Sequence, residues 1–227
     1  MMRALAIFAA ACLPAAAVFA ADSPTITSTG EAVMHTVPGT VSFTLVKLFQ
    51  EADLKTATEK CGAFTAQAEQ TLRAAEIPPM DVQALPPCPD DTASAPAVRG
   101  GVTAKYSMAA FISAGTGPVA LGGFMDKMRA LALALDASLS TPKYAAGAED
   151  TTAASAVVQA TENAYAHAET VAFALKSAIY SVQNAEIIEV KWSDRPDPEA
   201  PGPVPQISCT ARVRVVYQLA PQQAPAM

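Results

Sequence analysis

Apolar and polar residues alternate in several short segments of the chain, which is the pattern of β-strands with one buried face. The first two segments run from Thr25 to Met34 and from Val41 to Leu48. Pro38 and Gly39 lie between them, so we expect a hairpin at this point. Further strands are predicted over residues 81–85, 102–113, 137–141, 185–192 and 207–219.

Other segments repeat apolar residues every three or four positions, as one face of a helix does. One begins after Glu51 and is ended by Pro78 and Pro79, and a second begins near Gly117 and reaches Leu135. The third and longest helix is predicted over about residues 149–181. The small residues on its apolar face would let it approach a neighbouring element closely. The five prolines between residues 194 and 205 predict a surface loop.

The order of these elements predicts an α+β fold. We expect a largely antiparallel sheet with about three amphipathic helices packed on it. Strand–strand–helix units would come first, followed by strand–helix–strand–strand. Trp192, which alternates with Ile188 and Val190, is predicted to lie in the core, and Arg212 and Arg214 on a solvated face of the last strand.

The first twenty residues have the pattern of a cleavable secretory signal peptide. Arg3 supplies a positive charge, an uncharged stretch follows, and the short residues Val18 and Ala20 suit signal peptidase. Cleavage is therefore predicted between Ala20 and Ala21, which assigns residues 1–20 to the signal, 21–220 to one domain and 221–227 to a disordered tail. A lipoprotein acylated at Cys12 is the weaker alternative, because the usual Leu three residues earlier is absent. The predicted location is the periplasm.

The net charge of the chain argues against anionic partners. The chain has 15 basic and 21 acidic residues. Loss of Arg3 with the signal would leave 14 basic residues and a formal charge of minus seven. Such a balance argues against nucleic acid or an anionic membrane surface as a partner. No later segment is long and apolar enough to span a bilayer as a helix.

The chain resembles the SIMPL family, a periplasmic, immunogenic or oxidative-stress-associated domain of unknown function. The resemblance rests on the segment Ile26 to Glu31 (Ile-Thr-Ser-Thr-Gly-Glu), the end of the first helix before Asp81, the Ala-rich helix around residues 160–175 and the closing strand 211–219. The chain departs from the family pattern at Val102-Thr103, where a Tyr-Arg-type pair is usual, and lacks the Gly expected near residues 177–180. The family implies an envelope protein that is often oligomeric and has no established catalytic site.

The sequence offers little chemistry of its own. His167-Ala168-Glu169 is similar to the His-x-Glu of zinc deaminases, but the Pro-Cys-x-x-Cys partner is missing, because Asp91 follows Cys88 where the second Cys should stand. Asp90 and Asp91 lack the spaced ligands of a calcium loop. We therefore predict no catalytic residue, no metal site and no cofactor.

Cys61, Cys88 and Cys209 would remain in an oxidising compartment, where thiols tend to pair. Cys61 lies about 21 Å along the first helix from its end, and Cys88 about 23 Å along the strand that runs back. A disulfide between Cys61 and Cys88 is the preferred prediction. Cys209 also points inward by strand alternation, so a disulfide between Cys88 and Cys209 is the rival pairing.

These observations predict a non-enzymatic exported protein that assembles with copies of itself and is linked to envelope or oxidative stress. The alternative is a periplasmic protein that binds a small molecule or a peptide.

Overall fold

A computed structural model describes residues 24–112, 117–200 and 204–221 of the chain. These residues form eight strands and four helices. The strands are β1 (Thr25–Thr36), β2 (Thr40–Gln50), β3 (Asp81–Pro89), β4 (Ala97–Ser107), β5 (Ser138–Leu139), β6 (Lys143–Ala145), β7 (Ser177–Trp192) and β8 (Ile207–Pro221). The helices are α1 (Leu54–Arg73), α2 (Met108–Phe111), α3 (Gly117–Ala134) and α4 (Thr152–Ala174). The predicted α+β class is confirmed.

The described strands form two antiparallel sheets where one was expected. Sheet A has the order β1–β8–β7. Sheet B has the order β3–β4–β2–β5, with β6 also paired to β2. Both α1 and α3 pack on sheet B, and α4 packs on sheet A.

The predicted hairpin of the first two strands is wrong, because β1 pairs with β8 and β2 pairs with β4. The turn at Gly39 is held by the second sheet and does not fold the chain back. The Gly39 amide donates to the Ala145 carbonyl at 2.9 Å, and the Gly39 carbonyl accepts from the Met108 amide at 3.0 Å. The chain therefore crosses from one sheet to the other at this point.

The core of sheet B contains an aromatic cluster. Phe43 of β2 and Tyr106 of β4 both contact the ring of Phe124 on α3, at centroid distances of 5.6 and 4.8 Å. Phe111 of α2 closes the cluster 5.1 Å from Phe124. Among the described residues the Tyr106 hydroxyl has no hydrogen-bond partner, and burial raises its pKa to about 12.

The core of sheet A is built from small residues. Every fourth residue of α4 is an alanine that faces the sheet and is buried: Ala156, Ala160, Ala164, Ala168 and Ala172. Gly30 of β1 lies directly beneath this stripe. A β-carbon at Gly30 would come within 3.0 Å of the backbone of Ala160 and Ala164, a distance that β-carbons essentially never show. Helix and strand are thus in backbone-to-backbone contact.

Helix α4 ends seven residues before the predicted end at 181. Lys176 has a φ of 53°, in the left-handed region that stops a helix. The helix thus ends on a lysine in the conformation that glycine favours. The chain enters β7 at once, so residues 177–181 are strand and not helix.

Some boundaries also differ around sheet B. Strand β3 continues to Pro89 and β4 begins at Ala97, although the sequence predicted strands only over residues 81–85 and 102–113. The proline signal misleads here because β3 is an edge strand, where proline is tolerated. Strand β6 was not predicted.

The predicted signal peptide, its cleavage site at Ala20 and Ala21, and the tail beyond Pro221 lie outside the described residues. Among the residues described, no helix combines the length and apolar character needed to cross a lipid bilayer.

Candidate interaction surface on α4 and β7

The free edge of β1 is closed by α4. The side-chain amide of Asn163 donates to the Glu31 carbonyl at 2.8 Å. His167 Nδ1 lies 3.3 Å from the Thr29 carbonyl, which is hydrogen-bonding distance. These contacts occupy outward backbone carbonyls of the strand, the groups through which an edge strand recruits another chain.

The opposite edge of sheet A, strand β7, is far less covered. Because Gly30 draws α4 onto β1, the helix lies mainly over β1 and β8. The sixteen residues of β7 are half-buried or exposed throughout. The sheet therefore has one closed edge and one open side.

Strand β7 nevertheless has one wholly apolar face. Pairing with β8 is shifted at three places, after Ile179, Val182 and Ile187. These β-bulges bring unevenly spaced apolar residues opposite the inward residues of β8, and so onto the face that carries α4. The residues of this apolar row are Ile179, Val182, Ala185, Ile187, Val190 and Trp192.

Large apolar side chains are concentrated on α4 and β7. Ten of the eighteen exposed large hydrophobic residues described in the structure lie between positions 158 and 190. Phe173 and Tyr180, on either side of the turn between the two elements, are 74% and 73% exposed. We call the following exposed residues the α4–β7 surface: Val158, Tyr165, Phe173, Leu175, Tyr180, Val182, Ile187 and Val190. Of the other two, Ile188 lies beside Arg212 and Arg214 on the opposite face of the sheet, and Val171 lies one turn after His167 on the β1 side of α4. Concentrated exposed apolar side chains of this kind mark interaction sites in soluble proteins.

A groove of about 500 Å³ runs between α4 and β7 within this surface. Its floor includes Val182 and Ala185 of β7 and Tyr217 of β8, and α4 supplies the wall. The rings of Tyr165 and Tyr217 meet edge to face at 5.9 Å. Burial, with the neighbouring Tyr165 phenol, raises the pKa of Tyr217. Of the described residues that line the groove, Glu162 is the one that carries a charge.

The other face of sheet A is mainly polar, and four of its charged side chains form ion pairs. Arg212 bonds to Glu31 at 2.9 Å, and Arg214 lies 3.5 Å from Glu186. All four side chains are about half exposed. The prediction that both arginines lie on a solvated face agrees with these positions, and the carboxylates reduce the net charge offered to an acidic partner.

The structure contains neither predicted disulfide, since Cys61, Cys88 and Cys209 are all free thiols. Cys61 packs over Gly100, on the α1 side of sheet B. Cys88 pairs with Arg99, the residue before Gly100, so its side chain points to the opposite face of the sheet. Joining Cys61 to Cys88 would require a side chain to cross the sheet.

The rival pairing of Cys88 with Cys209 is also not formed. Cys209 is buried in the core of sheet A beneath α4, whereas Cys88 is exposed on β3 of sheet B. The distances along helix and strand placed Cys61 and Cys88 at similar levels. They did not determine on which face of the sheet the Cys88 side chain lies. That face is set by the register shift after Leu85.

Histidine and aspartate side chains elsewhere in the structure are held by other contacts. His35 Nε2 lies 3.0 Å from Asp197 Oδ2, which ties β1 to the loop after β7. Asp90 bonds to Arg99 and Thr92, and these hydrogen bonds lower the Asp90 pKa. In the described part of the chain, no cluster of three or more His, Cys, Asp and Glu side chains is placed to hold a metal ion.

Sequence periodicity missed the α4–β7 surface. The uneven apolar steps along β7 fit neither strand nor helix spacing until the bulges are known. On α4, Val171 and Leu175 share the apolar spacing of the helix and are nevertheless 47% and 60% exposed. The sequence did contain a signal in the alanines at intervals of four, since small residues at that spacing let a helix approach a neighbouring backbone closely.

Comparison with known proteins agrees with the resemblance noted in the sequence. No curated protein matches the chain at a significant level. A family model described as SIMPL, protein of unknown function (DUF541), matches residues 26–217. The matched segment begins in β1 with the Ile26 to Glu31 motif and ends at Tyr217 of β8, so it spans both sheets and all four described helices. The chain belongs to the SIMPL (DUF541) family.

Proposed function

We propose that this protein is exported to the periplasm and assembles there with further copies of itself, as a structural or interaction protein linked to envelope or oxidative stress. The signal-like residues 1–20 support the location. The absence of a catalytic motif in the sequence supports a non-enzymatic role. The α4–β7 surface is the observation that carries the proposal.

The dimensions of this surface suit a second protein. The sixteen residues of β7 extend about 50 Å at roughly 3.3 Å per residue. A band about 15 Å wide along this length approaches the roughly 800 Å² that each partner buries in a stable interface. The turn between α4 and β7 adds Phe173, Leu175 and Tyr180, and exposed aromatic residues are frequent anchors of interfaces.

A second copy of the chain is the partner that the charges permit. Strand β7 carries Glu189 and Lys191 on the face of sheet A away from α4, so a second copy paired antiparallel along the edge of β7 would place acidic and basic residues within reach of each other. The apolar row of β7 also gives each copy a surface that can pack against the same surface of a second copy. An isologous contact of this kind produces closed symmetric assemblies.

Light scattering on the purified protein over a range of concentrations tests the proposal. We expect a mass that is a multiple of the monomer mass. The double variant Phe173→Glu with Tyr180→Glu should lower that mass, because two charges enter the contact. The matched control is Val119→Glu with Leu133→Glu, at sites on α3 that are 75% and 81% exposed. The control should keep the assembled mass. A strict monomer at high concentration, or equal effects of the two double variants, would contradict the proposal.

The alternative, a periplasmic protein that binds a small molecule or a peptide, is favoured by the groove between α4 and β7. Binding of a small molecule there requires no assembly.

A further inference from the structure

The groove between α4 and β7 has a physical cause in the packing of sheet A. Gly30 and the alanine stripe hold α4 close to β1, so the helix does not extend over β7. The inner face of β7 is left as a floor with a helix along one side. The resulting space of about 500 Å³ is within the range of small-molecule sites.

The residues that line the groove indicate the chemical class of ligand that fits it. Val157, Val158 and Val215 supply apolar walls, so the body of a ligand should be apolar. The ring of Tyr165, which is 44% exposed, is available to a ligand, whereas Tyr217 is 2% exposed and supports Tyr165 from below.

Glu162 gives the groove a charge. It is exposed on α4 at the groove, and in the described part of the chain no basic side chain lies within ion-pair distance of it. An organic anion would be repelled by this carboxylate. A cation would gain its attraction and could also rest against an aromatic face, which binds ammonium groups favourably.

We propose that this groove binds a small organic cation with an apolar body, such as an aryl or alkyl ammonium compound. Glu162 pairs with the cationic group, the Tyr165 ring lies against it, and Val182 and Ala185 contact the apolar body. The groove lies within the α4–β7 surface but does not include Phe173 or Tyr180, the two residues that the assembly test alters.

Three probes with the same naphthyl body test the proposal by titration calorimetry: (1-naphthylmethyl)trimethylammonium, 1-naphthalenemethanol and 1-naphthaleneacetate. We expect the cation to bind about tenfold more tightly than the neutral alcohol, which corresponds to one favourable charge contact. The anion should bind most weakly.

Single substitutions test whether Glu162 causes the preference for the cation. Glu162→Gln should bring the affinity for the cation down to that for the alcohol and leave the affinity for the alcohol unchanged. The matched control is Glu169→Gln, an exposed carboxylate on the same helix that does not line the groove, and it should keep the cation preference. Ala185→Phe should weaken all three probes, because its ring fills the groove.

The proposal is overturned if no probe binds, if cation and alcohol bind equally well, or if Glu169→Gln acts like Glu162→Gln. Circular dichroism of each variant separates these outcomes from loss of folding. Because assembly would cover the groove, the titrations are also made on the Phe173→Glu, Tyr180→Glu variant, and light scattering reports the mass of each sample. A variant that stays monomeric and still prefers the cation separates success of this proposal from failure of the assembly proposal.

Discussion

Gly30 determines how closely α4 packs on sheet A, and Gly30→Ala perturbs that contact directly. The new methyl group would lie within 3.0 Å of the backbone of Ala160 and Ala164. Backbone atoms in a helix cannot rotate away as a side chain can. Relief therefore requires the helix to retreat from β1 by on the order of 1 Å.

The expected loss in the free energy of unfolding follows from the contacts that are separated when α4 moves away from the sheet. Five alanine methyl groups are buried between α4 and the sheet. At about 0.8 kcal/mol per buried methyl, they contribute about 4 kcal/mol. A gap of this size forfeits roughly a quarter to a half of such contacts. With about 1–3 kcal/mol of overpacking strain, Gly30→Ala should lower the free energy of unfolding by about 3 kcal/mol.

The matched control is Gly62→Ala, in the middle of α1. A β-carbon at Gly62 meets nothing within 4 Å. Because alanine loses less backbone entropy than glycine in a helix, this variant should be more stable by about 0.5–1 kcal/mol. The same substitution is thus expected to change stability in opposite directions at the two sites.

Urea unfolding followed by circular dichroism measures both changes by linear extrapolation. For a domain of this size, Gly30→Ala should lower the melting temperature by about 6–12 °C. A loss below about 0.5 kcal/mol at Gly30, or a loss at Gly62 comparable to that at Gly30, would refute the close contact of α4 with β1.

Three further changes test other contacts. Gly100→Ala should lower the free energy of unfolding by about 1–3 kcal/mol, because its methyl group meets the Cys61 sulfur. Adding Cys61→Ala to the same chain should recover most of that loss. Additive effects of the two substitutions would contradict this contact. In the native state, Cys88 should react with a thiol reagent at once and Cys61 only on unfolding, since Cys61 is buried and burial raises its pKa; a Cys88 thiol that stays unreactive until reduction would indicate a disulfide instead. Lys176→Gly should raise the free energy of unfolding by about 0.5 kcal/mol, because it removes the left-handed strain of a lysine at φ 53°, and a decrease would be evidence against that conformation.

The same unfolding measurements, repeated at several pH values, should show that the free energy of unfolding falls between about pH 10 and 12. Burial raises the Tyr106 pKa to about 12 in the folded protein, whereas an unfolded tyrosine ionises near pH 10. Below pH 10 neither state gains from ionisation. Above it the unfolded chain releases the proton first, so up to about 2–3 kcal/mol is lost as the pH approaches 12. Tyr106→Phe should remove most of this component, and an unchanged slope would contradict the assignment.

The sequence by itself determined the local elements wherever their periodicity was regular. The helix α1, the second helix α3 and the alternation of β8 are confirmed almost to their ends, because each has one face whose burial is continuous along the element. The family resemblance followed from the order of these elements and is also confirmed.

Only the tertiary structure decided how the strands pair and which apolar residues stay exposed. Strand alternation does not identify a partner, so β1 and β2 were assigned to one hairpin although they belong to different sheets. The three bulges of β7 collect its apolar residues on one face only after β8 is in place. On α4 the requirement for backbone contact at Gly30 selects alanines for burial and leaves larger side chains such as Val171 in solvent. The sequence thus specified an apolar helix, and packing against a glycine determined that its largest apolar groups form a surface and not a core.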